Sequence, residues 1–148
     1  MPFRYPLQPV LRLRVSIERQ EEQRLFAIAA VVARLRSEIE TLFDNYLQQK
    51  RAALQDLVST SSGAALQFIA SCDTAYASAG KSLQDRLQEA ERQRLRQLLI
   101  YQAARQKREI LEGLRDQHKA DYDLEVVHQE QQTTDEAFLL RLHRDSNT

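Results

Sequence analysis

Leu25, Ile28, Val32, Leu35, Ile39 and Leu42, followed by Tyr46, recur at steps of three and four residues. That spacing sets every member on one narrow stripe of an α-helix and leaves the remaining surface polar. A stripe so narrow makes the seam of a coiled coil, because a globular core needs a wider apolar face. The chain is therefore expected to be a long, thin object that works by touching other proteins. A two-helix rod offers no pocket for chemistry.

Composition agrees with this reading. The 148 residues include only three glycines, three prolines and no tryptophan, and Gln, Arg, Glu, Leu and Ala dominate the rest, as in long helices. Lys plus Arg equals Asp plus Glu at 21 each, so net charge gives no reason to expect DNA or an anionic membrane as partner. A single cysteine, Cys72, excludes an internal disulfide framework and suits a reducing cytoplasm. No basic-then-apolar leader and no apolar run near the roughly twenty residues of a membrane span is visible. The expectation is a soluble, cytoplasmic protein.

Prolines at 2, 6 and 9 keep residues 1–9 out of regular helix, with Pro9 suited to the first helical position. A helical pattern then runs over 10–58. The breakers Ser59-Thr60-Ser61-Ser62-Gly63 predict a turn, with one serine able to cap the next helix. A second helix is expected over 64–142, with 143–148 frayed. Two helices joined by so short a link fold back as an antiparallel hairpin. The predicted fold is all-α, one coiled-coil domain over 1–148, with the second helix longer.

Centring the turn near residue 63 sets Leu42 against Leu83, Ile39 against Leu87, Leu35 against Ala90, Ile28 against Leu98 and Leu25 against Tyr101. Apolar meets apolar each time. Towards the amino end Leu13, Ile17, Glu21 and Leu25 advance in steps of four, a stutter that locally unwinds a left-handed supercoil. In this register Glu21 faces Arg105, and a seam ion pair is predicted there that fixes register more than stability. Residues beyond about 116 then lack an intramolecular partner, at a rise of about 1.5 Å per residue. Tyr122, Val126, Val127, Phe138, Leu139 and Leu142 in that overhang are a candidate binding surface. The alternatives are that the N-terminal segment packs back on the overhang, or that the end frays.

Charge is zoned. Residues 84–108 carry seven Lys/Arg against three Asp/Glu, net +4, and residues 109–136 carry two against nine, net −7. Such asymmetry can steer a partner of opposite sign, although charge runs are commonly plain solvated faces. Catalytic constellations are absent from the pattern. His118, His128 and His143 lie ten and fifteen residues apart, so none pair at the i, i+4 spacing of a metal site. Cys72 is expected to be a small buried hydrophobe facing Ala53, without a histidine nearby to activate it. No glycine-rich phosphate loop exists, and the Arg-rich stretch at 92–108 lacks an aromatic platform for nucleic acid. Neither enzyme activity, cofactor, metal nor nucleic-acid partner is expected. Gly80 and Gly113 are costly in a helix and invite a close approach or a bend as their reason. Phe68, Cys72, Ala75 and Ala79 form a stripe just past the turn, across from Tyr46 and Leu47, where bulky Phe68 marks a candidate recognition patch.

The opening Phe3-Arg4-Tyr5-Pro6-Leu7-Gln8-Pro9-Val10-Leu11-Arg12-Leu13-Arg14, followed by Glu18, resembles the N-terminal signature of the flagellar export protein FliJ family. The stretch Arg108–Arg115, then Tyr122, Glu125, Glu130 and Asp135-Glu136-Ala137, is similar to the family's closing segment. The resemblance implies an antiparallel two-helix coiled coil similar to the rotor shaft of the rotary ATP synthase. It implies insertion of the terminal end into the hexameric flagellar export ATPase, contact of the hairpin-tip region with the cytoplasmic domain of the export gate, and escort of export chaperones. Carried onto this chain, the ATPase-binding end would be Leu11, Arg12, Arg14 and Glu18 with Leu114, Tyr122, Asp135 and Glu136. The gate-binding patch would be Tyr46, Phe68, Cys72 and Ala75. Ala79 stands where a family member can carry a histidine, and the first helix keeps only Tyr46 of the family's tyrosines. The implied protein is non-enzymatic, monomeric when free, without direct membrane insertion, and peripheral to the inner-membrane export apparatus. The stalk protein of a virulence-type injection apparatus and a self-assembling coiled-coil scaffold are rival readings.

Overall fold

The computed structural model describes residues 2–61 and 63–147. Two helices fill them, α1 over Gln8–Thr60 and α2 over Gly63–Ser146, packed against one another as an antiparallel two-helix hairpin with α2 the longer. Both helices overrun the expected bounds. α1 starts at Gln8 because Pro9 needs no hydrogen-bond acceptor in a first turn, and the Gln8 N–H is taken by the Tyr5 carbonyl at 3.1 Å. α2 continues through the expected tail to Ser146, with His143 and Arg144 in a last turn that favours cations. Met1, Ser62 and Thr148, part of the predicted irregular start, turn and tail, lie outside the described residues.

The reversal is tighter than the sequence pattern implies. Ser61 adopts φ 50°, the left-handed conformation that ends a helix, and its N–H donates to the Leu57 carbonyl at 2.9 Å. The Ser59 and Thr60 hydroxyls donate to the Asp56 carbonyl at 3.1 and 2.7 Å, side-chain bonds back onto the last turn of the kind that Ser and Thr favour near helix ends. Serine does here what glycine does more cheaply.

Two compact units are distinguishable, Gln20–Gln102 and Met1–Arg19 with Ala103–Thr148. Within the first, Val32, Leu35 and Ala90 form the buried cluster, with Leu83 and Leu87 packed against it. Burying a side chain such as Val32, 2 % exposed, contributes about 1.5–3 kcal/mol. Nearer the reversal the pairing departs from expectation by up to about a turn, because only residues 61 and 62 separate the helices. Leu42 and Ile39 line a groove with Tyr76 and Gly80, and Cys72 meets Gln49 in place of Ala53. Ala53 and Ala65 are buried on either side of the turn, where small side chains let backbones come close. Glu21 also takes another partner than Arg105. Its carboxylate and carbonyl accept from the amide of Gln97, a buried polar residue, at 2.5 and 3.1 Å, and it pairs with Arg24 at 2.9 Å.

In the second unit Tyr5, Leu11 and Ala104 are buried. The seam here takes Ala104 and Arg108 as its inward residues, while Arg105 turns out and pairs with Glu109 one turn on at 2.9 Å. That outward turn is why Arg105 is not the predicted partner. The ion pair that does form in this unit joins Glu18 to Arg108, and Arg108 also donates to Glu112 at 2.6 Å. The hydrogen bonds that Arg108 donates to Glu18 and then to Glu112 raise its pKa further, so the guanidinium stays charged.

Gly80 and Gly113 have a packing explanation excluded: a methyl group built on either meets nothing within 4 Å. Gly80→Ala should therefore stabilise by about 0.5–1 kcal/mol, and Ser61→Gly by a similar amount, since leaving αL strain outweighs added chain entropy. In urea unfolding both variants are expected to shift the midpoint upward. A downward shift for Gly80→Ala would mean that the glycine serves a contact absent here.

Candidate protein-docking surfaces

The unit Gln20–Gln102 carries an aromatic and charged cluster on the turn side of its core. The rings of Tyr46 and Tyr76 stack at 4.2 Å and 15°, and Phe43 tilts onto Tyr76 at 6.3 Å. Tyr46 hydroxyl donates to an Asp73 carboxylate oxygen at 2.5 Å, and the Lys50 ammonium donates to that hydroxyl at 3.0 Å and lies 3.5 Å from Asp73. Lys50 also sits 5.3 Å above the Tyr46 ring. The Tyr46 hydrogen bond, then the Lys50 charge, hold the Asp73 carboxyl below its usual range against the opposing effect of desolvation. Lys50 is raised, first by Tyr46 and then by Asp73. These groups are open to water, so the cluster shapes a surface more than it stabilises the fold.

Three of the four predicted gate-binding residues meet in this region. Tyr46, Cys72 and Ala75 line one groove together with Leu42, Tyr76 and Ala79. Cys72 is half-buried, its thiol 3.8 Å from the Gln49 amide oxygen. Phe68 belongs elsewhere: it is 50 % exposed beside Ala52, Ala53, Ala64 and Ala65, close to the turn. Sequence reading missed Tyr76, whose stacking partner is fixed only by the register across the hairpin.

In the other unit, residues 2–7 fold back onto α2. Tyr5, 7 % exposed, donates its hydroxyl to the Leu111 carbonyl at 3.1 Å, its ring meets His118 edge-on at 5.6 Å, and Phe3 tilts onto Tyr122 at 5.5 Å. The alternative in which the N-terminal segment covers the start of the overhang is thus the one realised, as far as Tyr122. The predicted ATPase-binding residues split accordingly. Leu11 is buried, 3 % exposed, and Glu18 is spent on Arg108, so both hold the structure together. Arg12, Asp135 and Glu136 are exposed, Arg14 and Tyr122 half-buried, and Leu114 is 37 % exposed. Arg12 shares a groove with Val15, Arg19, Glu112 and Arg115. From residue 127 to 147 every side chain is exposed, among them Val127, Phe138, Leu139, Leu140 and Leu142.

Among the described residues no three His, Cys, Asp or Glu side chains gather as a metal site, and no helix is long and apolar enough to cross a membrane. The packing defines a helical-hairpin protein. Comparison with known families places it further: the family described as "Flagellar FliJ protein" matches residues 3–148. The chain belongs to this family, and its role is tied to flagellar export. Neither the curated proteins nor the solved structures gave a match.

Asp73 adds stability above its unfolded pKa near about 4, which is lost as pH falls through the lower folded value. Lys50 adds stability below about 10.4, lost as pH rises through its higher folded value. The unfolding free-energy difference between wild type and Asp73→Asn should be level from about pH 5 to 9 and shrink towards zero below about pH 3. Urea titrations across that range check it, and a difference unchanged at pH 2 would contradict the Tyr46–Asp73–Lys50 linkage.

Proposed function

We propose that this chain is the non-catalytic central-stalk component of the flagellar type III protein export apparatus. In this reading it binds and activates the hexameric export ATPase, links it to the cytoplasmic domain of the export gate, and escorts export chaperones. It acts in the cytoplasm, peripheral to the inner-membrane apparatus, and is monomeric when free. The observation that carries the reading is membership of the flagellar family over residues 3–148, joined to a stretch of α2 whose large apolar side chains are all exposed. Apolar exposure on that scale marks a partner surface.

The ATPase contact falls to Arg12, Arg14, Leu114, Tyr122, Asp135 and Glu136, with Leu11 and Glu18 holding the supporting structure. The gate contact falls to the groove of Tyr46, Cys72 and Ala75, with Phe68 as a separate anchor beside the turn. Activation needs no acid, base or nucleophile from this chain. It needs a surface that binds the assembled ring better than separate subunits, which shifts the population towards the active hexamer.

Adding the purified chain to the export ATPase of the same flagellar system should raise both hydrolysis rate and hexamer fraction. Phe138→Ser with Leu142→Ser should remove most of that gain, about tenfold in the concentration needed, because two exposed anchors are lost. Phe68→Ser should leave activation intact and weaken capture of the gate domain. An ATPase whose rate and hexamer fraction do not respond to the wild-type chain would contradict the proposal.

A further inference from the structure

Several arginines of the hairpin have a carboxylate at hand: Arg24 with Glu21, Arg34 with Glu38, Arg36 with Glu91, Arg105 with Glu109, Arg108 with Glu18 and Glu112. One segment breaks the pattern. Asp121, Asp123, Glu125, Glu130, Asp135 and Glu136 fall in a run, 120–140, that contains no lysine or arginine. Among the described residues none of the six has an ion-pair partner. Leu124, Val127, Phe138, Leu139, Leu140 and Leu142, 50–69 % exposed, lie among and just after them.

Such a segment is poorly supported on its own. From 127 to 147 every described side chain is exposed, so this stretch lacks the tertiary packing from which helices in proteins draw most of their stability. Asp121 and Glu125 repel at i, i+4, and Thr133 and Thr134 turn their hydroxyls back onto the Gln129 and Glu130 carbonyls at 2.9 Å, which weakens rather than reinforces a helix. A partner that neutralises the carboxylates and covers the leucines removes both costs together. A second copy laid along the same segment would oppose carboxylates with carboxylates, so self-association is disfavoured here. Charge complementarity calls for a different, basic protein surface.

We propose that residues 121–142 are a two-zone docking surface for a protein wall that presents lysine and arginine opposite Asp121–Glu136 and an apolar collar opposite Phe138–Leu142. That this wall belongs to the export ATPase rests on the function proposed above; the chemistry of the wall does not. The acidic zone supplies steering and salt dependence, and the apolar zone supplies salt-independent affinity.

The test uses the full chain against two probes: the export ATPase of the same system, and a 20-residue amphipathic Lys/Leu peptide. The variants are D121N/D123N/E125Q/E130Q and F138S/L142S, with circular dichroism confirming the hairpin in each. Wild-type affinity for both probes should fall at least about tenfold between 50 and 500 mM salt, as screening removes exposed ion pairs. The neutralised variant, which keeps only Asp135 and Glu136 of the six, should be about tenfold weaker at low salt with a clearly shallower salt slope, while F138S/L142S is weaker at both salts with the wild-type slope. A neutralised variant that matches wild type in affinity and slope on the ATPase overturns the two-zone surface and leaves ATPase binding standing. Binding of the peptide with that salt pattern, without binding of the ATPase, supports the surface and overturns its assignment to the ATPase. Failure with both probes overturns both. A micromolar homodimer that F138S/L142S dissolves assigns the face to a second copy and likewise overturns the proposal.

Discussion

The unit Gln20–Gln102 depends on its seam, the line along which α1 and α2 bury small and branched side chains against each other. Val32, Leu35 and Ala90 sit at its centre, and neither helix could keep them from water alone. Long amphipathic helices owe their stability chiefly to such packing and little to propensity. What the unit Gln20–Gln102 offers at its surface is grooves, such as the one lined by Tyr46, Cys72 and Ala75.

Polar residues within the seam add position to this line. An apolar stripe can slide by a turn at modest cost, whereas a buried amide or a half-buried ion pair is satisfied in one register only. Gln97 with Glu21 serves that purpose in one unit, and Arg108 between Glu18 and Glu112 in the other. Tyr5 adds a third restraint by hydrogen bonding to the Leu111 carbonyl, which ties residues 2–7 to α2. Each of these contacts spends a polar group on internal order. The contrast is the run from Asp121 to Glu136, whose carboxylates are spent on nothing inside the described residues.

The sequence pattern made the two helices, their antiparallel packing and the location of the reversal legible, since heptad spacing and a cluster of Ser, Thr and Gly are local signals. Register was less legible. Five consecutive breakers spell a long turn in the sequence, yet Ser61 enters the left-handed region and shortens it, so partners near the turn shift: Cys72 meets Gln49, and Tyr46 stacks on Tyr76. The same uncertainty assigned Glu21 to Arg105, a residue that faces outward. Prolines at 2, 6 and 9 announce where helix cannot form but say nothing of where the segment goes, so Phe3 and Tyr5 packing on Tyr122 and His118 had no sequence signal stronger than their aromatic character. For the candidate sites, residue type alone could not tell surface groups such as Arg12 from buried ones such as Leu11; burial separates them.

One chain doubles back on itself and buries its own seam. Arg36 and Glu91, exposed and hydrogen-bonded at 2.8 Å across 55 residues of sequence, are suited to nitroxide labels that leave the core intact. Double electron–electron resonance complemented by continuous-wave spectra should report a short separation, set by helix axes about 8–10 Å apart plus the label arms. That separation should persist when labelled chain is diluted into a large excess of unlabelled chain. A distance approaching the roughly 80 Å of one uninterrupted helix, or a short distance that disappears on dilution, would contradict the hairpin.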